Sequence, residues 1–159
     1  MAKMVDPMVA LIDFQRNIRS GIKTIPGEKN PKLSVVVDKP AGHLRYTYAK
    51  VEFGRVKAMT IFMFHEPIDG IVCFNIGYAV PEAYRGRGWG GDIVEEAIQE
   101  MRGGLVRNGI AQFYVEAIVG VDNIASQKLA VRVLDANPRE TTDSESGLPA
   151  LAYTRLVEC

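Results

Sequence analysis

The chain has 159 residues, 47% hydrophobic and 24% charged, a composition that suits one domain around one core. Its 19 Lys and Arg balance 19 Asp and Glu, which excludes both the basic profile of a nucleic-acid module and the charge-rich profile of a disordered chain. No apolar run approaches the ~18 residues of a membrane span, so neither a nucleic acid nor a membrane is an expected partner. The N-terminal stretch carries Asp6 and Asp13 and lacks a continuous apolar core. It does not read as a signal peptide, and a cytoplasmic protein is the expectation. Cys73, in an apolar run, reads as a buried thiol and Cys159 as an exposed one, with no disulfide framework. His43 and His65 are the only histidines, so no metal site is expected.

In chain order, Met4 to Ile18 has apolar residues Met8, Leu11, Ile12, Phe14 and Ile18 at helical spacing. Gly21, Pro26, Gly27 and Pro31 then mark a loop. Residues 33–37 read as a strand, 44–53 as an alternating strand with Tyr46 and Tyr48, and 56–64 as its return strand after a turn at Gly54-Arg55. Residues 66–70, with Pro67 and Asp69-Gly70, read as the next turn, and 71–80 as a central strand apolar on both faces. A helix is predicted from about Gly91 to Arg102, with Ile93, Val94, Ala97, Ile98 and Met101 on its apolar face and Gly103-Gly104 as its stop. Residues 111–120 read as a strand, 122–135 as a helix capped by Asn123, 136–147 as a polar loop, and 148–158 as a last strand. The fold class is α/β of the mixed α+β kind, a mixed sheet with helices packed on it.

The stretch Arg85-Gly86-Arg87-Gly88-Trp89-Gly90-Gly91 lies between the central strand and the helix. Amide groups at a helix start have no partner within the helix and attract anions, while glycine lets a phosphate come close to the backbone. Arg85 and Arg87 add fork-shaped donors suited to phosphate oxygens. A diphosphate cradle is the local reading; a glycine-rich turn with solvated arginines is the plain alternative. No Gly-Lys-Ser/Thr follows, which sets it apart from a Walker loop. The glycine spacing and the preceding hairpins also set it apart from the Rossmann loop of a dinucleotide-binding oxidoreductase.

Residues 70–135 resemble the GNAT acetyltransferase superfamily, whose signature Arg/Gln-x-x-Gly-x-Gly/Ala is matched by Arg85, Gly88 and Gly90. Ala79-Val80, Pro81-Glu82 and Tyr84 before it, and Asn123 with Ser126 beyond it, are similar to the branch that acetylates protein N-termini and small-molecule amines. The resemblance implies a single domain over 1–159 with a mostly antiparallel sheet, helices on both faces, and two parallel strands splayed around acetyl-CoA. It implies that Gly86, Arg87, Gly88, Trp89, Gly90 and Gly91, with Arg85, hold the cofactor pyrophosphate. Ala79 and Val80 would pair with the pantetheine arm, and the Val80 amide would stabilise the oxyanion. Asn123 and Ser126 would contact the arm.

The implied reaction is transfer of acetyl to a primary amine of a peptide or small molecule by direct attack. The chain departs from the family at Ala130, where many members carry the tyrosine that protonates the thiolate. Ser126 is the nearest replacement, with a helix-start hydroxyl as its other reading. Residues 71–80 hold no carboxylate, only Asn75, so Glu116 is the candidate base, with an ion-paired strand residue as its other reading. Trp89 reads either as packing or as a cofactor contact, and Tyr114 and Tyr153 as bases or packing. These departures keep a second function open, a non-catalytic CoA-binding sensor. A homodimer is an expectation from family habit alone.

Overall fold

The computed structural model describes residues 6–159. The helices are α1 (Pro7–Arg19), α2 (Trp89–Arg107) and α3 (Ile124–Val133). The strands are β1 (Ile25–Pro26), β2 (Leu33–Asp38), β3 (Arg45–Glu52), β4 (Arg55–Ile68), β5 (Ile71–Ala79), β6 (Gln112–Gly120), β7 (Arg139–Thr142) and β8 (Pro149–Glu158). They form one sheet in the order β1-β2-β3-β4-β5-β6-β8-β7, antiparallel throughout except for the parallel β5–β6 pair. The expected mixed, mostly antiparallel architecture is the observed one. No helix among the described residues is long and apolar enough to cross a membrane.

The sheet is covered on both faces. On one, α1 buries Leu11 and Phe14 against Ala49, Val56, Met59 and Ala79. Ile12, expected on that face, is exposed. The Asp6 side chain caps α1 by accepting from the Met8 amide at 2.9 Å, and Pro7 supplies the fixed φ of a first helical residue. Met4, the expected start, lies outside the described residues. On the other face, α2 buries Ile93, Val94, Ala97, Ile98, Met101 and Leu105 over Phe62, Phe74, Phe113 and Val115. Each of these side chains larger than alanine contributes about 2 kcal/mol by leaving water.

Several boundaries differ from the expected ones, each for a local reason. α2 does not stop at Gly103-Gly104 but runs on to Arg107, and the chain turns at Gly109 (φ 77°), whose amide donates to the Val106 carbonyl. The mid-helix glycine leaves room for the loop before β2: a Cβ on Gly103 would come within 3.3 Å of the Lys29 side chain. One α2 carboxylate holds that loop. Glu100 accepts from the amides of Glu28, Lys29 and Asn30 at 2.9, 2.7 and 2.8 Å. The hairpin reversals are Phe53-Gly54 and Asp69-Gly70, all four residues at positive φ, as a two-residue type I′ turn requires. β4 therefore reaches Ile68, with an irregular register after His65, because Pro67 has no amide to offer the ladder. The polar loop after α3 contains the edge strand β7, which pairs with β8.

Candidate active site

The parallel β5–β6 pairing covers only Cys73↔Tyr114, Phe74↔Val115 and Asn75↔Glu116. Beyond it each strand keeps its outer neighbour, β5 pairing with β4 as far as Ala79 and β6 with β8 as far as Gly120. The two strands thus diverge while each stays in a ladder. Backbone groups of residues 76–79 and 117–120 that face each other have no strand between them. This is the splay expected at 71–80 and 111–119.

The glycine-rich stretch sits at the end of β5. A 3-10 turn at Glu82–Tyr84 leads into it, and Gly88 (φ 77°, ψ 5°) is the N-cap of α2. No side chain caps this helix, and the first helical bond is from the Asp92 amide to the Gly88 carbonyl at 3.1 Å. The amides of Trp89, Gly90 and Gly91 therefore have no partner within the helix. The four glycines serve two different purposes. Gly86 (φ 79°) and Gly88 take positive φ, and an added Cβ at either would meet nothing within 4 Å, so the turn is open. Gly90 and Gly91 are buried where α3 crosses. A Cβ on Gly90 would lie 2.9 Å from Leu129, and one on Gly91 1.9 Å from an Arg132 nitrogen. The cradle is thus open at its first half and tightly packed beneath its second.

The arginines and the tryptophan are placed accordingly. Arg85 donates its Nε to the Val80 carbonyl at 2.8 Å, tying the turn back to β5, while its terminal nitrogens make no ion pair among the described residues. Arg87 lies over the Trp89 ring at 5.2 Å, and Lys50 over the same ring at 4.2 Å. Trp89 packs against the core with Tyr84 6.0 Å away. On the α1 side of the turn, a cleft of about 320 Å³ adjoins Pro81 and Tyr84 and is flanked by Arg16, Arg19 and Arg55. The approach to the loop is positively charged, which favours an anionic ligand.

At the start of α3, Asn123 accepts from the Ser126 amide at 3.1 Å, the predicted cap. The Ser126 hydroxyl makes no hydrogen bond among the described residues; its carbonyl accepts from the Tyr78 hydroxyl at 3.0 Å. Tyr78 was not singled out by sequence, where it is one aromatic in an apolar strand. In the fold it stands on the unpaired part of β5 and reaches across to the first turn of α3. Burial pushes its phenol up to about 12, so it holds its proton at neutral pH. Ala130 is fully buried in the core, so no side chain from that position reaches the gap. Tyr153 and Tyr48 are likewise core residues, and Tyr46 packs edge-on to Phe74.

Glu116 lies at the point where the strands part. It is 6% exposed, accepts from the Thr154 hydroxyl at 2.9 Å, and has Arg139 at 3.9 Å. Phe74, Ile76, Val115 and Ala117 point into the α2 core, so Asn75 and Glu116 stand on the other face. Cys73 is buried beside them. Burial first, and the Glu116 charge second, push its thiol up to about 12, so it is no nucleophile at neutral pH. The carboxylate and the Tyr78 phenol thus flank the gap from opposite faces of the sheet.

The sheet thus opens between two parallel strands, with an uncapped, glycine-bounded helix start at the mouth of the opening. The acetyltransferase (GNAT) family model matches residues 20–135, and the chain belongs to that family. No curated protein matches the sequence. Among solved structures, the chain is similar to a GNAT-family acetyltransferase from Streptococcus pneumoniae, with 12% identity, a TM-score of 0.52, and 99% of this chain and 98% of that one covered. It is also similar to a GNAT-family acetyltransferase from Bordetella pertussis (18% identity, TM-score 0.48, 71% of this chain and 65% of that one). A third is the acetyl transferase from Salmonella typhimurium that modifies the N-terminal serine of ribosomal protein L7/L12 (21% identity, TM-score 0.47, 72% of this chain and 64% of that one). The chain thus spans just under two thirds of the length of the latter two proteins.

Proposed function

We propose that the protein is an acetyl-CoA-dependent N-acetyltransferase acting on a primary amine of a peptide or small molecule. The observation that carries this is the gap between β5 and β6 with the uncapped α2 N-terminus at its mouth. The residues fit the cofactor: open positive-φ turns at Gly86 and Gly88, partnerless amides at Trp89, Gly90 and Gly91, and arginines at 85 and 87. Backbone groups of Ala79 and Val80 would receive the pantetheine arm, with Asn123 and Ser126 at its other side. When bound, acetyl-CoA supplies an activated acetyl thioester.

The chain's own part is positioning and proton management. An amine must be neutral to attack, and Glu116 is the base that takes its proton, through a water chain because its register partner Asn75 lies five residues before Val80. The Val80 amide would donate to the carbonyl oxygen as negative charge grows there, a role typically worth ~3 kcal/mol. Tyr78 holds a proton on the α3 face and serves as the acid in place of the absent tyrosine at Ala130. No covalent enzyme intermediate is needed, in keeping with the inert Cys73 thiol. The second reading, a CoA-binding sensor, draws on the burial of Ala130. CoA-dependent turnover with a panel of primary amines decides between them. Glu116→Gln is expected to lower kcat by at least tenfold and leave acetyl-CoA affinity within twofold; turnover equal to wild type across pH would remove Glu116 from the mechanism.

A further inference from the structure

The cleft beside Pro81 and Tyr84 belongs to the α1 face of the sheet, since Leu11 and Val56 also line it. Three arginines stand among its mostly apolar lining: Arg16 and Arg19 from the last turn of α1, and Arg55 from the start of β4. All three are exposed. Among the described residues one carboxylate pairs with them, Asp13 at 3.9 Å from Arg16, and Arg19 and Arg55 make no ion pair. Glu82, which starts the 3-10 turn leading to Tyr84, pairs with none of them. A helix C-terminus favours cations, which accounts for Arg16 and Arg19. It does not account for Arg55. Gln15 brings that residue to α1: its side-chain nitrogen donates to the Gly54 carbonyl at 2.8 Å, and its side-chain oxygen accepts from the Val56 amide at 2.8 Å. The residues on both sides of Arg55 are thus tied to the helix. Like charges gathered in this way repel one another, and a bound anion offsets that cost.

We infer that this cleft seats an acidic peptide acceptor, the carboxylates of its first residues pairing with Arg16, Arg19 and Arg55. The inference rests on the acetyltransferase reading and names the substrate class within it. Pro81 lines the cleft and directly follows Val80, the oxyanion donor of that reading, and adjacent Cα atoms lie about 3.8 Å apart. The cleft and Glu116 share the face of the sheet opposite α2, whose N-terminus takes the diphosphate in that reading. Acceptor and cofactor therefore approach Val80 from opposite faces. Met8 and Arg19 both line the cleft, and at ~1.5 Å rise per residue they lie about 16 Å apart along α1, the span of about five extended residues. A small amine with one carboxylate engages one guanidinium fork and leaves the others unmatched. A peptide with several Asp or Glu side chains matches all three, and the apolar lining takes a side chain between them.

The test uses a hexapeptide with a free α-amine, no lysine, and Asp or Glu at its second, third and fifth positions, against its Asn/Gln counterpart. Wild type should show a kcat/KM at least tenfold higher for the acidic peptide, carried by KM, and the preference should shrink as salt rises. In the double variant Arg19→Gln, Arg55→Gln the preference should fall below threefold, and Arg19→Lys, Arg55→Lys should keep part of it. Neither change removes an ion pair, so both variants should melt close to wild type, with acetyl-CoA affinity within twofold by calorimetry. Equal kcat/KM for the two peptides in wild type would overturn the inference. So would a preference that survives in the Gln variant. A fall in that variant's acetyl-CoA affinity would assign the arginines to the cofactor and overturn it too. A higher kcat/KM for γ-aminobutyrate or phosphoethanolamine than for the acidic peptide would give the cleft to a small anionic amine, against the inference. Wild-type protein that binds acetyl-CoA but turns over neither peptide also overturns it. Wild-type protein that binds no acetyl-CoA is a different result: it brings down the acetyltransferase reading itself.

Discussion

Replacing Gly88 separates backbone strain from ligand binding. Gly88 caps α2 at φ 77° and ψ 5°, and a Cβ there would meet no atom within 4 Å. Gly88→Ala therefore carries no steric clash, and its whole cost is the left-handed backbone, about 1–2 kcal/mol for a residue with a Cβ. For a chain of this size that is a fall in Tm of about 2–8 °C. Gly88→Asn should fall less, because asparagine tolerates this region better. Gly88→Glu should melt close to Gly88→Ala, since its longer side chain also enters open space. Its added charge has a separate effect. At ~6 Å from a phosphate, with an effective dielectric of ~20–40, repulsion is about 1.5–3 kcal/mol per charge, so acetyl-CoA should bind ten- to hundredfold more weakly than to Gly88→Ala. Thermal melts and calorimetry on the variants read both quantities. Wild-type melting of Gly88→Ala would refute the backbone argument; equal affinity of the Glu and Ala variants would refute the placement of the pyrophosphate.

Two further predictions follow from contacts around α2. A Cβ on Gly91 would meet the tip of the exposed Arg132 side chain at 1.9 Å, which can swing aside, so Gly91→Ala should not lower the melting temperature in thermal melts, helped by the better helix propensity of alanine. Arg155 donates to Glu95 at 2.7 Å and to the Val133 carbonyl at 3.1 Å, joining α2, α3 and β8. The Arg155 hydrogen bond holds the Glu95 carboxyl below its ordinary 4.5. With the folded value depressed, the pair's stabilisation is present above about pH 4.5 and is lost as pH falls through the folded value; because both side chains are partly exposed, it is worth under about 1 kcal/mol. Arg155→Met should flatten that part of the stability-against-pH curve.

Much of the fold was legible because its signals are local. Alternation marked β3, a run apolar on both faces marked β5, the helical stripe marked α2, and Asn123 marked the start of α3. The glycine stretch between β5 and α2 was legible as a turn opening a helix, but its division of labour was not, because the side chains that crowd Gly90 and Gly91 come from α3. The extension of α2 through Gly103-Gly104 was hidden for the same reason: the segment that needs the space lies more than 70 residues earlier in sequence and is held by Glu100. Glu116 could be singled out as a carboxylate in an apolar strand. Tyr78 could not, since what marks it is a bond across the opened sheet.

The central claim is that the opened sheet and the glycine turn hold acetyl-CoA. Its most direct test is the melting temperature of the protein, freed of co-purified CoA, with acetyl-CoA and with NAD and ATP as controls. At 100 times the dissociation constant a ligand stabilises by ~2.7 kcal/mol, a rise of about 5–10 °C for a chain of this length. A rise with acetyl-CoA and none with the controls is the predicted result. A folded protein whose melting point acetyl-CoA leaves unchanged would contradict the account.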